Sequence, residues 1–154
     1  MESQSSQEQG LIREQDFYLW VKLYRTVNAM LKVRKKELRR CGLSLAQTSV
    51  LHVVHTSDNR VTPAEISREL IRDPNTVTEI LISMEKDGLL KRVKDLPRKN
   101  MIRVELTEKG HGSYKETTRG QSVSKMLSVL LKEEQQQFIS YLNRIMSKAL
   151  EELE

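Results

Sequence analysis

Apolar residues along this 154-residue chain recur with two different periods, and the switch between them divides it. Trp20, Leu23, Val27, Met30 or Leu31, and Leu38 fall at helical spacing and predict a first helix that ends near Gly42. Leu45, Val50, Leu51 and Val54 predict a second helix from Leu45 to about His55, closed by the polar turn "TSDNR". In "VTPAEISREL" a third helix starts, with Thr62 as N-cap, Pro63 at the first helical position and Glu65 closing a capping box. "RDPNTVTEILISMEKDG" repeats the device: Asp73 caps, Pro74 follows, Val77, Ile80 or Leu81, and Met84 are buried, and Gly88 stops the fourth helix. The period then drops to two. Ile102, Val104 and Leu106 alternate with Met101, Arg103 and Glu105, so "LLKRVKDLPRKNMIRVELTEKG", residues 89–110, reads as a β-hairpin with Pro97 in its turn.

Helical spacing returns at Val123, Met126, Leu127, Leu130 and Leu131, and again at Phe138, Leu142, Ile145, Ala149 and Leu153. Gly110, Gly112 and Gly120 each cost a helix on the order of 1 kcal/mol relative to alanine, which predicts a hinge or a late start to the fifth helix. Residues 1–10, rich in Gln, Ser and Glu, form a tail expected to be disordered. Two short helices joined by a tight connection match a helix-turn-helix, and a two-stranded hairpin directly after them makes it a winged helix. The fold class is therefore mainly α with a small β-hairpin wing. A winged helix-turn-helix lobe occupies residues 43–107, beside a helical region at 11–42 and 108–154.

Charge changes the picture next. Residues 91–103 hold a local net +5, as do residues 32–40, on a chain whose total is +5, so everything outside the two segments is net acidic. Segregated basic surface is the footprint of a polyanion partner, although a run of charge is often only a solvated face. With 38% hydrophobic residues there is enough for one compact core, or for a small lobe plus long helices that need a partner. The longest apolar runs, such as "LSVLL" at 127–131, are too short to span a bilayer, and "MESQSSQEQG" lacks the basic and apolar regions of a signal peptide. The chain is expected in the cytoplasm. A single cysteine, Cys41, rules out an internal disulfide and a multi-cysteine zinc site.

The order "LSLAQTSVLHVV", "VTPAEISREL", "DPNTVTEILISMEKDGLLKR" and "VELTEKG" resembles the MarR family (multiple antibiotic resistance regulators), from about residue 16 to the C-terminus. The resemblance implies a homodimer in which the first helix interlocks with the last two. It further implies two winged-helix lobes that repress transcription at palindromic sites and often release DNA when a small molecule binds. Where the family wing usually carries Asp-x-Arg-Asp-x-Arg, this chain has Asp95, Pro97, Arg98 and Asn100. The apolar stripes fit a dimer on physical grounds as well, because a monomer offers little for them to cover. Leu127, Leu131, Phe138, Leu142, Ile145 and Ala149 are the expected interface, with an intramolecular helical pair as the alternative.

For base reading, Asn75, Thr76, Thr78 and Glu79 open the fourth helix with amide, hydroxyl and carboxylate groups that can pair with base edges. Capping is the other use for Asn75 and Thr76. Arg98 and Lys99 at the wing tip, Ser67 and Arg68 on the third helix, Arg72 before the fourth, and Lys91 and Arg92 on the first wing strand are the expected backbone contacts. His52 and His55 read as core or pocket-lining residues and not as a metal site. With Trp20 and Tyr24 they are the candidates for lining an effector pocket. Cys41 beside Arg39 and Arg40 offers a redox switch as an alternative means of regulation. No nucleophile triad or phosphate-cradling glycine loop is visible, so neither an enzyme nor a cofactor is expected. The reading is a dimeric, DNA-binding transcription regulator, with a repressor released by a small molecule as the leading form. A winged helix used for protein contact is the competing class.

Overall fold

The computed structural model describes residues 13–58, 60–94 and 101–153. Among the described residues, seven α-helices and one hairpin run in the order α1 (Glu14–Leu38), α2 (Leu45–Thr56), α3 (Pro63–Glu69), α4 (Pro74–Lys86), β1 (Leu90–Lys94), β2 (Ile102–Leu106), α5 (Glu108–Thr118), α6 (Ser122–Leu127) and α7 (Lys132–Glu151). A single 3₁₀ turn, Arg39–Cys41, extends α1 to Gly42.

The core lies in the middle of the chain. Val50, Leu51, Val54, Ile66, Val77, Leu81, Met84, Leu90 and Val104 are almost fully buried against one another, and Tyr114 of α5 packs on them. The period-2 pattern is realised as an antiparallel pair with Leu90 opposite Leu106 and Lys94 opposite Ile102. Val61 adds an isolated bridge to Val104, which ties the entry of α3 to the sheet. Each anticipated cap is in place. Thr62 Oγ1 accepts from Glu65 N at 3.3 Å while the Glu65 carboxylate accepts from Thr62 N at 2.7 Å, and Asp73 accepts from Asn75 N and Thr76 N.

The expectation of a hinge or late start in the fifth helix is corrected. α5 begins at Glu108, directly after its N-cap Thr107, with Gly110 and Gly112 inside it. Thr107 Oγ1 accepts from Gly110 N at 3.1 Å. A Cβ on Gly110 would lie 1.9 Å from the Leu89 carbonyl oxygen, so the residue is small because β1 begins against it. The break comes later: α5 ends at Thr118, and α6 is a separate six-residue helix.

The long helices bury almost nothing of themselves. Leu38 is the one buried residue of α1, and α7 has none across its 20 residues. Phe17, Tyr18, Leu19, Trp20, Tyr24, Phe138, Ile145 and Met146 are all exposed. No helix among the described residues is long and apolar enough to cross a membrane.

Candidate nucleic-acid interface

Helices α3 and α4 meet through a tight corner at residues 70–73. Ile71 takes φ +50°, a left-handed conformation that costs a β-branched residue about 1–2 kcal/mol. Ser67 Oγ donates to the Arg72 carbonyl at 2.6 Å, and Arg72 N donates to the Ser67 carbonyl at 3.0 Å, which closes the corner. Ser67 is 5% exposed and committed to the turn, so its part is to aim α4, not to reach outward. Arg68 and Arg72, by contrast, are exposed.

α4 turns one stripe inward, Val77, Leu81 and Met84. Asn75, Thr76, Thr78, Glu79, Ile82, Ser83 and Lys86 stay in solvent. The capping duty that competed for Asn75 and Thr76 falls to Asp73, whose Oδ1 accepts from both of their backbone N–H groups at 2.8 and 3.3 Å. Their side chains are thereby left for another use. Thr78 Oγ1 donates to the Pro74 carbonyl at 2.8 Å, so its hydroxyl remains exposed but is already engaged on its own helix. Glu79 is exposed.

The root of the wing is fastened to the far end of α4. Glu85 accepts from Arg92 Nε at 2.9 Å and from Arg92 N at 3.0 Å. The Arg92 side chain, then its backbone N–H, hold the Glu85 carboxyl below its ordinary pKa. Lys91 pairs with Glu105 across the strands at 3.0 Å. Both cations are thus partly neutralised within the chain, a pairing that the charge run alone conceals. Arg98 and Lys99, with Asp95, Pro97 and Asn100, lie outside the described residues.

A second polar centre, absent from the sequence reading, joins α1 to the α5–α6 corner. Arg34 pairs with Glu37 and donates through its other nitrogen to the Thr117 carbonyl at 2.8 Å. Glu37 also accepts from Ser122 N at 3.0 Å and from the Ser122 hydroxyl. Those two Ser122 bonds, aided by Arg34, lower the Glu37 pKa to about 2. A Cβ at Gly120 would come within 2.7 Å of both the Arg34 and Glu37 side chains, so a larger residue there would require these side-chain ends to shift.

The histidines are not core residues, which corrects one of the two readings made for them. His52 and His55 are both exposed. His55 stacks on Tyr114 at 4.2 Å between ring centroids, with His111 edge-on at 5.9 Å. His52 Nδ1 lies 3.2 Å from the Tyr114 hydroxyl. His52 and Tyr114 line a cleft of about 520 Å³ with Arg34, Thr48, Thr118 and Val123. Trp20 and Tyr24 do not join them within one chain: both are exposed on α1, about 21 and 15 Å before Arg34 along the helix axis. Cys41 is exposed at the end of the 3₁₀ turn. Among the described residues no group of three or more His, Cys, Asp or Glu side chains is placed to hold a metal ion.

Leu131, Phe138, Leu142, Ile145 and Ala149 are exposed, and Leu127 is half-buried at the end of α6. Gln135 Nε2 donates to the Leu127 and Leu130 carbonyls, which fixes where α7 departs from α6.

Residues 43–96 match the model of the MarR family. The organohalide-sensing transcriptional regulator RdhR-CbdbA1625, solved with 2,4-dichlorophenol bound, is similar over 92% of this chain and 88% of its own, with a TM-score of 0.79 and 26% identity. AbsC, a MarR family transcriptional regulator from Streptomyces coelicolor, shares the fold over 90% of this chain and 97% of its own, with a TM-score of 0.80 and 14% identity. MepR from S. aureus, solved in complex with DNA, shares it over 84% and 97%, with a TM-score of 0.74 and 20% identity. No curated protein matches the chain.

Proposed function

From the match of residues 43–96 to the model of the MarR family, we propose that the chain is a homodimeric, DNA-binding transcription regulator, a repressor released by a small molecule. The observation that carries the DNA reading is α4 itself. Its first turn is capped by Asp73, which frees Asn75 and Thr76, and beyond the opening Pro74 its exposed residues are polar apart from Ile82. In this reading Asn75, Thr76, Thr78 and Glu79 meet base edges in the major groove. Arg68, Arg72, Arg98 and Lys99 hold phosphates, while Lys91 and Arg92 contribute less because Glu105 and Glu85 already pair with them.

Dimerisation rests on α1 and α7. Two helices of 25 and 20 residues bury one side chain between them and leave long apolar faces uncovered by this chain, and helical stability comes mainly from an apolar face packed on a neighbour. A second copy supplies the missing surface, with residues 11–42 and 108–154 forming the dimerisation region beside the lobe at 43–107. The cleft lined by His52, Tyr114 and Arg34 is the proposed effector site. It lies where the lobe meets α1 and α6, so a bound molecule changes the angle between lobe and dimer region. The chain works in the cytoplasm, where its DNA is.

Two measurements test the reading. Genomic fragments retained by the purified protein are expected to share an imperfect inverted repeat, with affinity falling steeply as salt rises. Retention with no common sequence refutes sequence-specific regulation. Light scattering is expected to give twice the monomer mass, and Leu142→Glu is expected to give a monomer because it buries an unpaired charge. A wild-type monomer that binds DNA at full affinity refutes the dimer.

A further inference from the structure

The outward face of α4 carries one residue that hydrogen-bonding chemistry does not explain. At 100° per residue, Val77, Leu81 and Met84 cluster on one side and are buried. Ile82 lies opposite, near the centre of the exposed arc, about 20° around the helix from Asn75 and about 10 Å beyond it along the axis. It is 50% exposed. Thr78 precedes it by one turn and Glu79 by slightly less. A lone apolar residue on a surface is ordinary. A β-branched residue at the middle of the face that would lie along the bases is a different matter, because it offers a base edge no donor or acceptor and answers only to an apolar group. The major groove presents one such group, the C5-methyl of thymine. Against cytosine the same side chain would cover the N4 amino donor and leave it unpaired.

We propose that Ile82 is a specificity-determining residue that packs on the C5-methyl of a thymine in each half-site, beyond the bases met by Asn75, Thr76, Thr78 and Glu79. The inference rests on the DNA-binding reading above. Burying one methyl group corresponds to about fourfold in affinity, and two symmetric half-sites make that about fifteenfold.

The test uses a duplex selected by the full-length protein, with each symmetric pair of thymines replaced in turn by deoxyuridine, which pairs identically but lacks the methyl. Dissociation constants are measured for wild type, Ile82→Val and Ile82→Ala. One thymine pair is expected to matter to wild type by about fifteenfold. Ile82→Ala is expected to bind that site more weakly and to treat thymine and uracil there alike, with Ile82→Val between the two. Circular dichroism checks that the variants stay folded, as a change at an exposed position should allow. Wild-type indifference to uracil at every position overturns the proposal, as does Ile82→Ala that still distinguishes the two bases or a selected half-site without thymine. If no duplex is selected at all, the DNA-binding reading fails and the assignment of Ile82 fails with it.

Discussion

Replacing Gly110 by alanine should destabilise the fold, whereas the same change two residues later should stabilise it. Both glycines lie inside α5, where alanine is intrinsically favoured by about 1 kcal/mol. At Gly112 nothing lies within 4 Å of the new Cβ, so Gly112→Ala should gain about 0.5–1 kcal/mol. At Gly110 the Cβ would sit 1.9 Å from the Leu89 carbonyl oxygen and 3.3 Å from Leu106 Cβ. Relief requires α5 and the start of β1 to separate by more than an ångström. The same carbonyl accepts from Thr107 N at 3.1 Å, and Leu89 leads into the Leu90–Leu106 pair at the root of the wing, so that movement strains the cap as well. Overpacking of about 1–3 kcal/mol plus about 1 kcal/mol for the strained hydrogen bond, set against the propensity gain, leaves a net loss of about 2 kcal/mol. Urea unfolding at one fixed protein concentration, which matters for a dimer, should place the two variants about 3 kcal/mol apart on opposite sides of wild type. Equal stability of wild type and Gly110→Ala would refute the steric argument. A matching loss at Gly112 would show that helix geometry, not contact with Leu89, governs this segment.

Three further outcomes follow from the other local arrangements. Because the Glu37 carboxyl is held at about 2 against an ordinary 4.5, its contribution is complete above pH 4.5 and is lost as pH falls from there toward 2. Glu37→Gln should therefore cost about 1–3 kcal/mol at neutral pH and flatten the stability profile across that window; an unchanged profile would count against the Arg34–Glu37–Ser122 centre. Ile71→Asn should stabilise by about 0.5–1 kcal/mol in thermal unfolding, since Ile71 is 53% exposed and asparagine tolerates its positive φ; a loss would mean that the side chain is needed for packing. Arg98→Ala with Lys99→Ala should reduce the salt slope of DNA binding by about one to two units without altering the preferred sequence, and a changed preference would point to base reading by the wing.

What could be read from the sequence divides by how far apart the interacting groups lie. Thr62 with Glu65 and Asp73 with Asn75 satisfy backbone donors within three residues, so helix starts and the helix-turn-helix were visible as local chemistry. The period-2 run at 101–106 exposed the wing for the same reason. The turn role of Ser67 is not legible locally, because its partner is a carbonyl five residues on, beyond Ile71 in a left-handed conformation that an isoleucine does not advertise. Gly110 looked like a weakness because the carbonyl it accommodates belongs to Leu89, across the hairpin. Glu37 and Ser122 stand 85 residues apart, and no pattern in either segment pairs them. The histidines read as core or pocket-lining residues; His111 and Tyr114 of α5 gather them at the surface, with His52 beside a cleft.

In the proposed regulator two copies of α4, held by one rigid two-fold dimer, read the same face of a duplex about one helical turn apart. This arrangement is tested most directly by inserting about five base pairs at the centre of a selected operator, which turns one half-site to the opposite face. Dimer affinity is expected to fall to that of a single half-site and to recover in part when the insert is lengthened to about ten base pairs. An unchanged dissociation constant with the five-base-pair insert would contradict it.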